Sequence, residues 1–337
     1  MEQTLLIGNG ISKLLNPGKL DWKNVLKEVT KEDQKLLGEN DNCRTTVPYT
    51  HLYEDILLND KYRHKAGTED LSELKLRIKE HLKNETSKSS NKDFDRVIKL
   101  LLNLDLKNIL STNYEYCMEN VLEKQDYSYE KSRQQTIYST RRKRQYCKND
   151  GRKLDFWHIH GELDYVKSIM LGYDHYCGSL TKISDYIKKG KLSDSERDES
   201  TASLKDDKDI HHIVKKCLLF QNGCDVECKT WMDTFFFSDV HIIGLGLDFQ
   251  EIDLWWLLNK RYRYIKTAHT FPSKYHNLSI NNHIYYYGKV RQEVKAALEA
   301  YGVNTKYANA SEEKVNDWTI FYENLIAKIK ENIRLLS

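Results

Sequence analysis

Three short apolar runs constrain this chain more than any other feature: TLLIG at 4–8, LKNILSTN at 106–113 and VHIIGLG at 240–246. Each is apolar and ends in glycine or small polar residues, as strands buried on both faces of a parallel sheet do. FWHIHG at 156–161 and HIYYYG at 283–288 complete the set. Between them Leu52, Ile56 and Leu57, then Leu71, Leu74 and Ile78, then Val97, Ile98, Leu101 and Leu102 recur at helical spacing. Strands alternating with helices predict an α/β fold, a doubly wound parallel sheet. With 337 residues and 39% hydrophobic content, the chain can fill one large core or two modest ones.

Two regions exceed what simple crossovers need. Residues 14–105 are almost wholly helical in pattern, and 178–230 carry the charged stretch SDSERDESTASLKDDKD (193–209), which reads as a solvated loop or helix tip. The expected organisation is a single domain. Its sheet core comprises approximately residues 1–13, 106–177 and 231–310, with helical insertions at 14–105 and 178–230 forming a smaller module. A C-terminal amphipathic helix at 311–337 carries Trp318, Phe321, Leu325, Ile329 and Ile333 on one stripe, which either packs on the core or joins subunits.

Composition excludes some classes. Charged residues reach 31%, yet the net charge is only +3, which disfavours nucleic acid as a partner. No apolar run approaches the roughly 18 residues of a membrane span. The N-terminal TLLIGNGI lacks the basic flank of a signal peptide and reads as a first strand. Seven scattered cysteines without a CxxC pair argue against disulfides and against zinc, and a reducing cytoplasm is the simplest home. The run Arg141, Arg142, Lys143 and Arg144 reads as a solvated loop rather than a phosphate site.

The candidate chemistry lies where the apolar runs end. In GNGIS, Gly8, Asn9, Gly10, Ile11 and Ser12 form a strand-to-helix turn whose backbone N–H groups can approach a phosphate, although the third glycine of a dinucleotide fingerprint is missing. A second such turn holds Gly244 and Gly246 in GLGLDFQEIDLWW, where Asp248, Glu251 and Asp253 read mainly as helix caps and Trp255 and Trp256 as core. In STNYE, Asn113 offers both a donor and an acceptor to a ribose hydroxyl or a water. If FWHIHG is a strand throughout, His158 and His160 share a face, because the side-chain period is two. His160, at the carboxyl end and followed by glycine, is then the candidate proton acceptor, and His158 a satisfied interior histidine.

Taken together these motifs resemble the SIR2 (sirtuin-like) superfamily, in particular its bacterial NADase branch of antiphage defence. GNGIS looks like that family's GAGIS turn. STNYE looks like its T-x-N-x-D segment, with Asn113 in place and Glu115 for Asp; HIHG carries the His-Gly, and GLGLDFQEIDLWWLL looks like the second nucleotide-binding turn. The motifs span residues 5–260 in the family's order. The resemblance implies a Rossmann-like core and NAD⁺ as substrate, held by Gly8 to Ser12, Thr112, Glu115, Gly244 and Gly246, with Asn113 and His160 catalytic. It also implies a homo-oligomer or a separate partner such as a P-loop ATPase. The family's deacetylases carry a four-cysteine zinc ribbon and a G-x-P-D-F-R run, both absent here, so peptide deacetylation is not expected. Two other readings stand beside NAD⁺ hydrolysis: a protein ADP-ribosyltransferase or deacylase using the same cleft, and a non-catalytic NAD- or ADP-ribose-binding subunit.

Overall fold

In a computed structural model, the described residues are 1–16, 20–30, 48–58, 72–87, 91–130, 136–204, 210–311 and 314–336. Eight strands form one sheet: β1 (Glu2–Ile7), β2 (Asn108–Ser111), β3 (Tyr127–Glu130), β4 (Lys143–Lys148), β5 (Lys153–His158), β6 (Ser238–Ile243), β7 (Ile284–Lys289) and β8 (Asn304–Asn309). Their order is β3-β4-β5-β2-β1-β6-β7-β8, with β5 to β8 parallel across the centre and β3 and β4 antiparallel at one edge. The six parallel strands follow the order of a Rossmann-like doubly wound sheet, with the switch point between β1 and β6. The edge hairpin of β3 and β4 is not legible in the apolar pattern. Its strands, YSYE and KRQYCK, are short and polar, as edge strands are.

Alternation along the strands divides the core. Trp157, Leu110, Leu6, Ile242 and Tyr286 sit side by side in register and face one layer. That layer holds α7 (Tyr173–Lys189), α8 (His212–Gln221), α9 (Trp231–Phe237), α10 (Ile252–Thr270) and α11 (Gln292–Ala300). Phe156, Ile109, Leu5 and Tyr285, one residue earlier on each strand, face the other layer. There lie α5 (Lys92–Leu102), α6 (Cys117–Glu123) and α12 (Trp318–Leu336). In α12, Leu325 and Ile329 are buried and Phe321 and Ile333 pack alongside, so four of the stripe's five residues form a core face, while Trp318 at its start stays exposed.

A third cluster is the helical module. It joins α2 (Trp22–Val29), α3 (Tyr49–Leu57) and α4 (Ser72–Ser87), the helices that follow the one-turn α1 (Asn9–Ser12), to Tyr114, Leu163, Ile169 and Leu171. The helices of 92–102 and 173–221 cover the sheet instead. Lys75 of α4 ties the module down: its buried amine lies 2.8 Å from His175 Nε2 and donates to the Lys167 carbonyl at 3.1 Å. His175 Nδ1 accepts from the backbone of Leu171 and Gly172, so Nε2 carries the proton and the lysine accepts it. Burial lowers the Lys75 amine to about 7, consistent with that neutral pairing.

Two expected solvated segments are anchored. Arg142 and Arg144 both reach Glu162, at 3.4 and 2.9 Å, and Arg144 also holds Asp164 at 2.9 Å. Arg142 is only 4% exposed, because β4 pairs with β5 and carries the basic run against the sheet. In the charged stretch, 205–209 lie outside the described residues, while Asp198 is buried against Lys216 at 3.1 Å. The densely charged surroundings concealed the buried partner.

Candidate active site

The two glycine turns meet at the switch point. Gly10 donates its N–H to the Gly244 carbonyl at 2.7 Å. A Cβ on Gly10 would stand 2.6 Å from that oxygen and 2.7 Å from the Tyr322 hydroxyl, so the backbones approach as only glycine allows. Gly244 itself turns in the left-handed region, at φ +64°. Because α1 is a single turn, the helix dipole expected behind Gly8 is small, and the N–H of Gly10 is already engaged. Gly246 faces open space.

Asn113 lies two residues past β2, beside this junction. Its amide donates to Ser12 Oγ at 3.1 Å and to the Gly8 carbonyl at 3.4 Å, while Thr112 N–H bonds the Ile7 carbonyl at 3.1 Å. The side chain thus ties the end of β2 to the first turn. Behind it Ser12, Ser111, Glu115 and Glu119 help to line a cavity of about 10 Å³, the room one water takes. Glu115 is buried, and one of its oxygens finds no hydrogen-bond partner among the described residues. Burial raises its carboxyl above the ordinary range, against the pull of hydrogen bonds from its own backbone and Ser12.

The histidines do not share a face. β5 ends at His158, and the chain turns through Gly161 at φ +104°, where a Cβ would overlap the Ser168 carbonyl. His158 points to α6, with Nε2 2.8 Å from Glu119 Oε1 and its ring edge-on to Tyr116. His160 points instead to the start of α10. Its Nε2 lies 3.0 Å from Asp253 Oδ2 and its Nδ1 3.5 Å from Glu251 Oε2. Glu251 also accepts from Tyr49 at 3.1 Å and Tyr176 at 3.3 Å, the two hydroxyls being 2.7 Å apart. Thr50 adds backbone and hydroxyl bonds to Gln250, so α3 of the module docks directly on the second glycine turn's loop.

This corrects the capping role expected of Glu251, which makes no side-chain cap bond; Asp253 does keep one, accepting Leu254 N–H through Oδ1 at 2.9 Å, and Asp248 stays outward, accepting from Phe249 N–H and pairing with Arg291. It also corrects the near-neutral imidazole expected at His160. Burial by itself pushes that imidazole down, but the Asp253 charge and hydrogen bond, with Glu251, outweigh burial and raise it to about 9. The group is an imidazolium at neutral pH. His158→Ala is expected to lower stability by roughly 1–3 kcal/mol, because Glu119 loses its buried partner. Urea unfolding measures this, and a stability unchanged within error would show that the pair contributes nothing.

His160, Glu251 and Asp253 offer ligand atoms within 4.8 Å of one another, the one such grouping found among the described residues. Yet the two carboxylates face opposite nitrogens of one ring, and a metal ion would have to replace a tightly held proton. The arrangement fits an imidazolium better than a metal. Cys224 is exposed and Cys228 half-buried, and neither belongs to the grouping. Tyr49 and Tyr176 escaped sequence reasoning altogether, as nothing local ties either to residue 251. Glu251 and Asp253 were visible as acids, and their two-residue spacing across a helix start was the available signal. Compared with known proteins, the chain matches no family model and no curated protein, so its site is read from its own chemistry.

Proposed function

We propose that the chain is an NAD⁺ glycohydrolase of the SIR2-like kind, releasing nicotinamide and ADP-ribose. One observation carries the reading: two glycine turns lock together at the switch point, while Asn113 and His160 follow the ends of the adjacent strands β2 and β5. Open sheets of this order bind dinucleotides across that crevice. The remaining N–H donors of Gly8 to Ser12 and of the Gly244–Gly246 turn would take the diphosphate, and Asn113, with Thr112 and Glu115 beside it, a ribose hydroxyl or the attacking water.

Nicotinamide leaves as a neutral pyridine and needs no acid. The demand is to stabilise an oxocarbenium-like centre and to deliver water, which buried carboxylates and a positioned base can meet. Asp253 on Nε2 has the form of an orienting carboxylate, which leaves Nδ1, on the Glu251 side, as the nitrogen that would take a proton. Cleavage rate should therefore rise with pH toward 9, as the imidazolium loses its proton. The biological setting, NAD⁺ depletion in antiphage defence gated by self-association or a P-loop ATPase partner, rests on the motif resemblance alone.

The test is nicotinamide release from NAD⁺ by purified protein with no acceptor present, across pH 6–10. Asn113→Ala should slow it by roughly 10²–10³-fold in a protein that still folds, at a cost of about 1 kcal/mol for the lost bonds to Ser12 and Gly8. Release only with a peptide or protein acceptor would point to the transferase or deacylase reading, and saturable NAD⁺ binding without turnover to the binding subunit.

A further inference from the structure

At the far end of α7 a cavity of about 420 Å³ opens, within the size range of small-molecule pockets. Four cations, Lys188, Lys189, Arg197 and Lys215, stand around it against two carboxylates, Asp198 and Glu199. Asp198 does little to offset them. It is buried and already bound from the protein side by Lys216 at 3.1 Å and Lys229 at 3.2 Å. Among the described residues, only Lys189 of the four cations is drawn to a neighbouring carboxylate, Asp185 at 3.1 Å, and Lys188 and Arg197 stand exposed at the rim.

The floor is built rather than incidental. His212 bridges Thr201 Oγ1 at 3.0 Å and Asp198 Oδ2 at 3.2 Å, and all three residues are buried. Tyr186 donates to Asp198 at 3.1 Å and Lys216 continues to Asp233 at 3.0 Å, so a hydrogen-bonded chain fixes the wall from behind. Such a wall keeps the cations around a fixed concavity, where opposite charge is drawn in.

We infer that this cavity binds a small molecule carrying several phosphate groups. Phosphate oxygens suit converging Lys and Arg donors, the guanidinium by paired hydrogen bonds and the ammonium groups as point charges. Residues 205–209 lie outside the described residues, and the site uses none of them. It is also separate from the sheet edge. Tyr176 and Lys188 lie on the same helix, twelve residues or roughly 18 Å apart. The inference does not depend on NAD⁺ cleavage.

Titration calorimetry at fixed ionic strength would use sodium tripolyphosphate, ATP and adenosine as separate probes. Tripolyphosphate or ATP should bind saturably, one per chain, and adenosine should not. Tighter binding of ATP would make the natural ligand a nucleotide; equal or tighter binding of tripolyphosphate would make the phosphates sufficient. Lys188→Glu, Arg197→Glu and Lys215→Glu should each weaken binding by about tenfold or more without lowering the melting temperature, whereas Lys306→Glu on β8 should not. The inference is overturned if neither polyphosphate binds saturably, or if the three charge reversals leave the affinity unchanged.

Discussion

Lys216→Met is expected to lower unfolding free energy by about 3–5 kcal/mol, the usual consequence of stripping one partner from a buried ion pair. The lysine is fully buried, and its ammonium, with three protons to give, lies within 3.1 Å of Asp198, Asp233, Tyr186 and the Glu227 carbonyl. Burial alone pushes that amine down, and Asp233 with Asp198 more than restores it, so the cation is held charged in the core. Without it, two aspartates face each other's field across Tyr186, whose hydroxyl lies within hydrogen-bond distance of both and has one proton to share. Urea unfolding should show the midpoint falling at constant slope. Adding Asp233→Asn to the Lys216→Met protein should recover part of the loss by removing one uncompensated charge. A loss below about 1 kcal/mol would mean that the network is relaxed by water and is no anchor.

Asp253→Asn should give the largest effect on chemistry while keeping the shape of the site. It removes the main charge that raises the His160 imidazole to about 9, leaving Glu251 alone against burial, which pushes the other way. The pKa of His160 should fall, the rising limb of the pH–rate profile moving to lower pH by about one unit or more. The rate at high pH should fall roughly 10²-fold or more, since the neutral ring loses the carboxylate that fixes its tautomer.

Stability moves with the same group, and its sign is fixed by the direction of the shift. A histidine raised on folding binds its proton more tightly in the folded state, so its contribution is fully present below about 6.5 and lost as pH rises toward 9. The wild-type protein should therefore lose stability through that window, and Asp253→Asn should flatten the loss. Ring-proton titration by NMR reads the shift directly. An imidazole that titrates identically in both proteins would remove Asp253 from the argument.

Much of the sheet edge was legible from local pattern. Runs apolar on both faces mark the central strands, and the glycines and Asn113 mark their carboxyl ends, because parallel strands and tight turns impose their requirements within a few residues. The polar strands of the edge hairpin carry no comparable signal: β3 pairs with β4 and β4 with β5, each the next strand in the chain, but neither hairpin strand has an apolar run to mark it. The basic run failed for a related reason. Arg142 and Arg144 look solvated until Glu162, some twenty residues on, is brought against them.

The sequence by itself determined an α/β chain with two glycine turns, an asparagine and a histidine at strand ends, since each rests on short-range sterics and periodicity. Only the tertiary structure decided what His160 is. Its charge depends on Asp253 and Glu251, more than ninety positions away, and on Tyr49 and Tyr176, which reach Glu251 from two further helices. Burial and a neighbouring charge act through space over a few ångströms, and no spacing within the chain encodes which distant carboxylate will arrive there.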